Sequence, residues 1–592
     1  MTREGRIIDV NGPLIQALLP GVADGEQVRV GRLDLTGEVI GLEGEKALVQ
    51  VYEETTMLRP GDPVVPLGHP FSVELGPGLL GAIFDGIQRP LNALLEAGER
   101  IPRGLAVPAL DRERRWNFTP EEGLAAGEEV HGGTILGRVR ETESVEHRIL
   151  VPPEVQGELL ELAPAGEYRL DDPIARIREP LGRLRELHLY HRWPVRRPRP
   201  YRRRDDAVIP LLTGQRILDT FFPLLKGGKG AIPGPFGAGK TMLQQQIARW
   251  ADADVVIYVG CGERGNELVD ILESFPKLTD PHSGRSLMER TLLVANTSNM
   301  PVVAREASIY VGVTLAEYYR DQGYDVVMVA DSTSRWAEAL REVAGRLGQM
   351  PVEEGYPAYL GSRLAAFYER AGRVHTLCGG TGSVTLIGAV SPPGGDFSEP
   401  VTNHTKDIIE TFWALSKPLA DARHYPAVSW SESFSGAVER AARWWHEKVD
   451  GRWAERRAQA LALLSQAEEL SRIVNLVGAE ALSPAQRWTV EMAGVLREGL
   501  LQQSALDEVD SYCPPRKQFL LMDLMLQVHD LGLELIRRGV PFSELAALPL
   551  MSRLRRLKGQ YGAEQLNELA ALADAFREEL QRLGENYRES TA

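Results

Sequence analysis

Between residues 207 and 430, short and nearly uninterrupted apolar runs alternate with amphipathic ones, and this alternation restricts the chain to few folds. VVIYVG, TLLVAN, DVVMVAD and SVTLIGAV have the character of parallel strands buried on both faces. Segments such as TMLQQQIARWAD and PVVAREASIYVGVTLAEYYRDQG separate them with helical spacing. Such a succession predicts a doubly wound α/β sheet. Near its start stands Gly234-Pro235-Phe236-Gly237-Ala238-Gly239-Lys240-Thr241, a GxxxxGK[ST] segment that follows GKGAIP and precedes a helical run. Glycines there let backbone N–H groups converge on phosphate oxygens, and the following helix adds its N-terminal dipole. In this pattern Lys240 is expected to reach the β- and γ-phosphates and the Thr241 hydroxyl to ligate Mg2+.

The flanking regions read differently. Residues 1–75 alternate Val, Ile and Leu with polar residues and are punctuated by NG, DG and GD, which predicts a small β-barrel. Residues 110–190 form a second strand-rich stretch with Gly and Pro punctuation, a β-rich insert. HRWPVRRPRPYRRRDD (191–206) is dense in Arg and Pro and reads as an extended, solvated linker rather than a nucleic-acid arm, since no aromatic repeats along it for base stacking. Residues 436–592 are helical in pattern. The central nucleotide-binding domain is expected over 76–109 and 191–435. The net charge of −15 disfavours nucleic acid and acidic membrane as direct partners. Three scattered cysteines, no apolar signal segment and no run approaching the ~20 apolar residues of a membrane span point to a cytoplasmic protein.

Two carboxylates stand where catalysis needs them. Asp331 ends the run YDVVMVAD, at the carboxyl edge of the predicted sheet where ligands bind in open α/β folds. It is expected to hold Mg2+ through water, against the plainer role of capping the helix that DSTSR begins. Glu263, in Gly262-Glu-Arg-Gly-Asn-Glu267, also follows an apolar strand and is placed to orient an attacking water, with Arg264 steadying phosphate. The plain alternative is a surface Glu–Arg pair. Cys261 beside it raises a redox possibility, weighed against simple packing.

VGCGERGNE, NTSNMPVVAREASIYVGVTLAEYYRDQGYDVVMVADSTSRWAEALRE, GYPAYLGSRLAAFYERAG, SPPGGDFSEPVTNHT and DSYCPPRKQ closely resemble catalytic A subunits of V-type and archaeal-type rotary ATPases. The resemblance covers essentially the whole chain. It implies a multidomain fold: an N-terminal β-barrel, a β-rich insert, a central α/β P-loop (RecA-like) domain and a C-terminal α-helical domain. It implies Mg2+ with ATP or ADP as substrate, Lys240, Glu263 and Arg264 in catalysis, and Tyr425 of RHYPAVSW against adenine. It also implies a B-type subunit supplying an arginine finger in an alternating hexamer, central rotor and peripheral stalk subunits, and a membrane sector that moves ions. Three positions depart from the family pattern: Ala238 for Ser in the loop, Ser429 for Asn, and Leu506 for Phe beside the adenine.

Two other readings compete. A homohexameric secretion-type ATPase shares the core but generally lacks the insert. A non-catalytic nucleotide-binding subunit should have lost Lys240 or Glu263, and this chain keeps both.

Overall fold

The computed structural model describes residues 4–96, 103–105, 107–281 and 283–591; residues 97–102 and 106, within the expected nucleotide-binding domain, lie outside the described residues. Contacts divide the chain into two compact units. The first is Met1–Ala207 with Lys226–Ala231 and Ala253–Ile409, and the second is Val208–Leu225 with Ile232–Asp252 and Glu410–Ala592.

In the first unit, strands β1 (Gly5–Asn11), β2 (Leu14–Leu18), β3 (Glu26–Val30), β4 (Leu35–Glu43), β5 (Lys46–Val51) and β6 (Pro63–Pro70) close a barrel in the order β1-β2-β5-β4-β3-β6. The period-two pattern is what closes it: Val28 and Val30 point into a core with Ile7, Ile15, Val39 and Val49, while Gln27 and Arg29 face outward. The insert folds as two four-stranded antiparallel sheets whose strands run from Arg115–Pro120 to Leu184–Leu187. Trp116, Phe118, Leu136, Ile149, Leu159 and Ile177 are buried there. The fold class read from the sequence is therefore found at both the barrel and the insert.

The same unit carries the parallel sheet. Thr381–Val390, Asp325–Asp331, Val255–Glu263, Thr291–Thr297 and Ile83–Phe84 lie side by side in that order, all parallel. The Val302–Asp321 helix packs on it and is buried almost throughout. Its charged residues Glu306, Glu317, Arg320 and Asp321 are buried along with its apolar ones.

The 191–206 stretch is extended, and Arg192, Arg197, Arg202, Arg203 and Arg204 are exposed, as the sequence reading has it; Arg196 and Arg199 depart from that reading. His191–Pro194 pairs with Ser72–Leu75, and Arg203–Asp205 pairs with Gly372–His375. Between them Arg196 bridges Glu38 of the barrel (Nε–Oε1 3.0 Å) and Glu306 of the long helix (Nη2–Oε2 2.8 Å). Arg199 is buried against Asp321, and its backbone N–H donates to Glu317. Glu317 also receives Arg370 Nε at 3.1 Å, while Arg370 Nη1 donates to the Val195 carbonyl. Arginines in a Pro-stiffened run can look solvated in sequence because their carboxylate partners lie more than a hundred residues away.

The second unit contains the Lys240–Trp250 helix and a helical C-terminal part built on Trp453–Val477, Pro484–Leu496 and Pro515–Arg537. Ser483 and Gln486 form a reciprocal capping box, with Pro484 in the first turn, and so start the second of these cleanly. Trp488 is buried against Gly532, where a β-carbon would fall 2.3 Å from its ring. Trp445 and Trp453 stack at 5.0 Å.

Removing Arg370 would leave Glu317 as a buried carboxylate short of its main partner. Arg370→Met is expected to cost about 3–5 kcal/mol, whereas Arg204→Ala, which breaks a half-exposed pair with Glu369, should cost under about 1 kcal/mol. Thermal unfolding of the two variants side by side checks this; equal midpoints would refute it.

Candidate functional site

The phosphate loop lies in the second unit, between the end of the Lys229–Pro233 strand and the Lys240–Trp250 helix. Leu415 N–H donates to the Pro233 carbonyl at 2.8 Å and anchors the entry. Gly234 needs its bare α-carbon because a β-carbon would sit 2.6 Å from that of Leu415. Gly239 caps the helix at φ 89°, a left-handed conformation that favours glycine. Pro235, Gly237 and the buried Ala238 complete the turn, and Phe236 stands 71% exposed. Lys240 Nζ donates to the Gly234 carbonyl at 2.7 Å, folding the ammonium across the mouth of the loop. Thr241 occupies the first helical turn.

Tyr425 is brought to this loop. A β-carbon on Gly239 would lie 3.3 Å from the Tyr425 ring, which is 43% exposed. Gln503 N–H donates to the Tyr425 carbonyl at 2.8 Å. The Gln503 segment is itself fixed by the buried Arg216, which donates to the Leu500 and Gln502 carbonyls and pairs with Asp510 at 2.6 Å. Leu506 lies on the same segment with its side chain 93% exposed. Ser429, another departure, is buried and its N–H donates to the Ala414 carbonyl.

The carboxylates lie in the first unit. The strands Val255–Glu263 and Asp325–Asp331 are parallel neighbours with Gly260 opposite Asp331, so both chains deliver an acid to one carboxyl edge. Asp331 is 3% exposed and accepts from the Tyr258 hydroxyl at 3.0 Å. Gly262 has φ 73°, and a β-carbon there would meet Arg305 Cδ at 2.7 Å, so only glycine lets the chain turn toward Glu263. Arg264 is the N-cap residue of the Gly265–Ser274 helix. Burial, then the charges of Asp331 and Glu267, pushes the Glu263 carboxyl up to about 8, against the opposing pull of Arg335. The shift marks a carboxyl crowded by like charge and drawn out of water.

Cys261, on the same strand, is fully buried, and burial pushes its thiol up to about 12. A thiol held protonated and away from solvent is a packing residue, which disposes of the redox reading.

Comparison with known proteins follows the same architecture. The beta-barrel domain of the ATP synthase alpha/beta family matches residues 7–68, and the alpha/beta subunit barrel-sandwich domain matches 107–196. The nucleotide-binding domain of that family matches 214–435, and the C-terminal domain of V and A type ATP synthase matches 442–545. A V-type ATP synthase alpha chain of Nitrosococcus oceani is 69% identical over 99% of this chain and 99% of its own length. The chain belongs to the V/A-type ATP synthase A-subunit family. A-type ATP synthase subunits A of Thermococcus onnurineus and Desulfurococcus sp. are each 54% identical over 98% of this chain and 100% of their own. The assembled ATPase EscN of an enteropathogenic E. coli type III secretion system shares the fold, with TM-score 0.61 and 21% identity over 89% of this chain. Likeness at that level carries the fold alone, so the secretion-type reading gives way to the V/A-type family.

Asp331 and Glu267 crowd Glu263 with like charge, an electrostatic setting that favours a cation nearby. No three acidic, His or Cys side chains among the described residues form a direct metal cage. Tyr258, Glu267 and Arg335 were not singled out from the sequence, although Glu267 closes the GERGNE string and Arg335 the DSTSR string.

His424, next to Tyr425, is held near 4 by burial and by Arg497 and Lys558. Its folded pKa lies below the unfolded value of 6.5, so the unfolded chain binds the extra proton between the two. Stability should therefore fall as pH drops from about 6.5 to 4. Urea unfolding at pH 7.5 and 5 is expected to show this loss, and His424→Phe should shrink it. An unchanged pH response in the variant would show that another group carries it.

Proposed function

We propose that this chain makes or hydrolyses ATP at a site completed by a B-type neighbour, within a rotary assembly coupled to ion movement. The observation that carries the reading is full-length identity of 69% to a V-type ATP synthase alpha chain, with Lys240, Glu263 and Asp331 all in place.

Backbone N–H groups of Gly234–Thr241 and the Lys240 ammonium bind the phosphates. Tyr425 takes the adenine face, its exposed ring offering a stacking surface beside Gly239. Glu263 orients water for in-line attack on the γ-phosphate and accepts its proton, and Arg264 steadies phosphate. Thr241 and, through water, Asp331 would hold Mg2+, which neutralises phosphate charge when bound. An arginine from the B-type subunit completes the site. Central rotor and peripheral stalk subunits and a membrane sector are the further partners. No helix among the described residues is long and apolar enough to cross a membrane. In this reading the partners hold the chain at the inner membrane face.

Glu263→Gln is expected to keep nucleotide binding while hydrolysis falls by at least about a hundredfold; Lys240→Ala should weaken both. Normal turnover in Glu263→Gln would remove it as the base. Mg-ATPase activity measured on this chain alone, and then with the B-type subunit from the same source, tests the assembly. Activity mainly in the mixture is expected. Full activity alone would overturn the shared site.

A further inference from the structure

The Gln502 carbonyl is held from two directions. The buried Arg216 donates to it through Nη2 at 2.7 Å, and Lys558 Nζ donates to it at 2.8 Å. Lys558 comes from the Pro549–Gln560 helix, and its ammonium also donates to the Glu498 carbonyl at 2.6 Å. Its own carbonyl accepts from the Lys517 ammonium at 2.7 Å, which fixes the end of that helix. The peptide that joins Gln502 to Gln503 is planar, with its C=O and N–H pointing in opposite directions. Whatever fixes the C=O therefore aims the N–H, and this N–H donates to the Tyr425 carbonyl at 2.8 Å.

A helix cap is the plain reading of Lys558. Glu498 and Gln502 lie at the Arg497–Leu501 turn, where backbone carbonyls run short of partners and a lysine commonly meets them. Capping accounts for the Glu498 contact. The Gln502 carbonyl, however, already has a cationic donor in Arg216 and gains a second one. Two charge-assisted bonds on one side of a peptide also polarise it and strengthen the bond its N–H makes on the other.

The half-buried Lys558 ammonium is faced by the carboxylates of Asp510, Glu498 and Asp507 and by the cations Arg216 and Lys517, with His424 and Arg497 close by. Burial, opposed by the pull of Asp510, lowers it to about 8.

We propose that Lys558 is a positioning residue for the base side of the nucleotide: by holding the Gln502 carbonyl it aims the Gln503 N–H at Tyr425 and keeps the Tyr425 ring beside Gly239. The inference rests on the nucleotide reading given above. Lys558 acts through one peptide and not on the phosphates.

Mg-ATP and Mg-tripolyphosphate, which has no base, are the probes, titrated calorimetrically into the full chain at pH 7 and 9, on either side of the Lys558 value. At pH 7 Lys558→Met should weaken ATP at least about fivefold, the scale of a misplaced stacking partner, and leave tripolyphosphate unchanged. Lys558→Arg should restore ATP affinity. The parent should lose ATP affinity between pH 7 and 9 as the ammonium deprotonates, whereas Lys558→Arg, charged throughout, should not. In a Tyr425→Ala background, Lys558→Met should add no further loss. Equal losses for ATP and tripolyphosphate would reduce Lys558 to a structural cap and overturn the proposal. Unchanged ATP affinity in Lys558→Met, with Lys240→Ala still weakening both ligands, would overturn it while sparing the nucleotide reading. Normal ATP binding in Lys240→Ala, or none in the parent, would sink that reading and this proposal with it.

Discussion

The first unit depends on a set of buried ion pairs centred on one helix. Val302–Asp321 presents Glu306, Glu317 and Asp321, and each is met by an arginine from elsewhere in the sequence: Arg196, Arg370 and Arg199. Arg196 reaches at the same time to Glu38 of the barrel, whose carboxylate also accepts from the Tyr52 hydroxyl. A charge buried away from water is tolerated only when paired and hydrogen-bonded. The barrel, the 191–206 stretch and the helix must therefore take up their arrangement together. The same helix receives the insert through a hydrogen-bonded cluster: Glu141 and Tyr318 flank His147 at 2.7 Å on either side, and Tyr319 adds a further bond to Glu141.

That fixed helix packs on the strands that deliver the acids. Glu263 and Asp331 end adjacent parallel strands, so their separation is set by sheet register and not by loop flexibility. Register also places Tyr258 to hold the Asp331 carboxylate. Rigid strand ends are good supports for groups that must act on a reacting atom. In the second unit Arg216 does comparable work, tying Leu500, Gln502 and Asp510 into a frame that carries Gln503 to the Tyr425 backbone.

Much of this was legible in the sequence because the relevant signals are local. The barrel follows from period-two alternation, and the parallel sheet follows from continuous apolar runs. The phosphate loop follows from glycine spacing between a strand and a helix. Long-range pairing was less legible. Arg196 and Arg199 read as solvated because nothing nearby in the chain announces Glu38, Glu306, Glu317 or Asp321. Leu506, expected beside adenine by family resemblance, has an exposed side chain, since the backbone of its segment and not Leu506 itself is what Arg216 and Gln503 secure.

The sequence by itself determined the family, the order of domain types and the identity of Lys240, Thr241, Glu263 and Asp331 as candidates, because each is written in a short string whose chemistry depends on near neighbours. Only the tertiary structure decided the proton affinity of Glu263, which needs Asp331 and Glu267 close by and water excluded. It alone decided that Arg196 and Arg199 are interior struts within an otherwise exposed run. Burial and the pairing of distant charges are properties of the folded chain, and no local pattern encodes them.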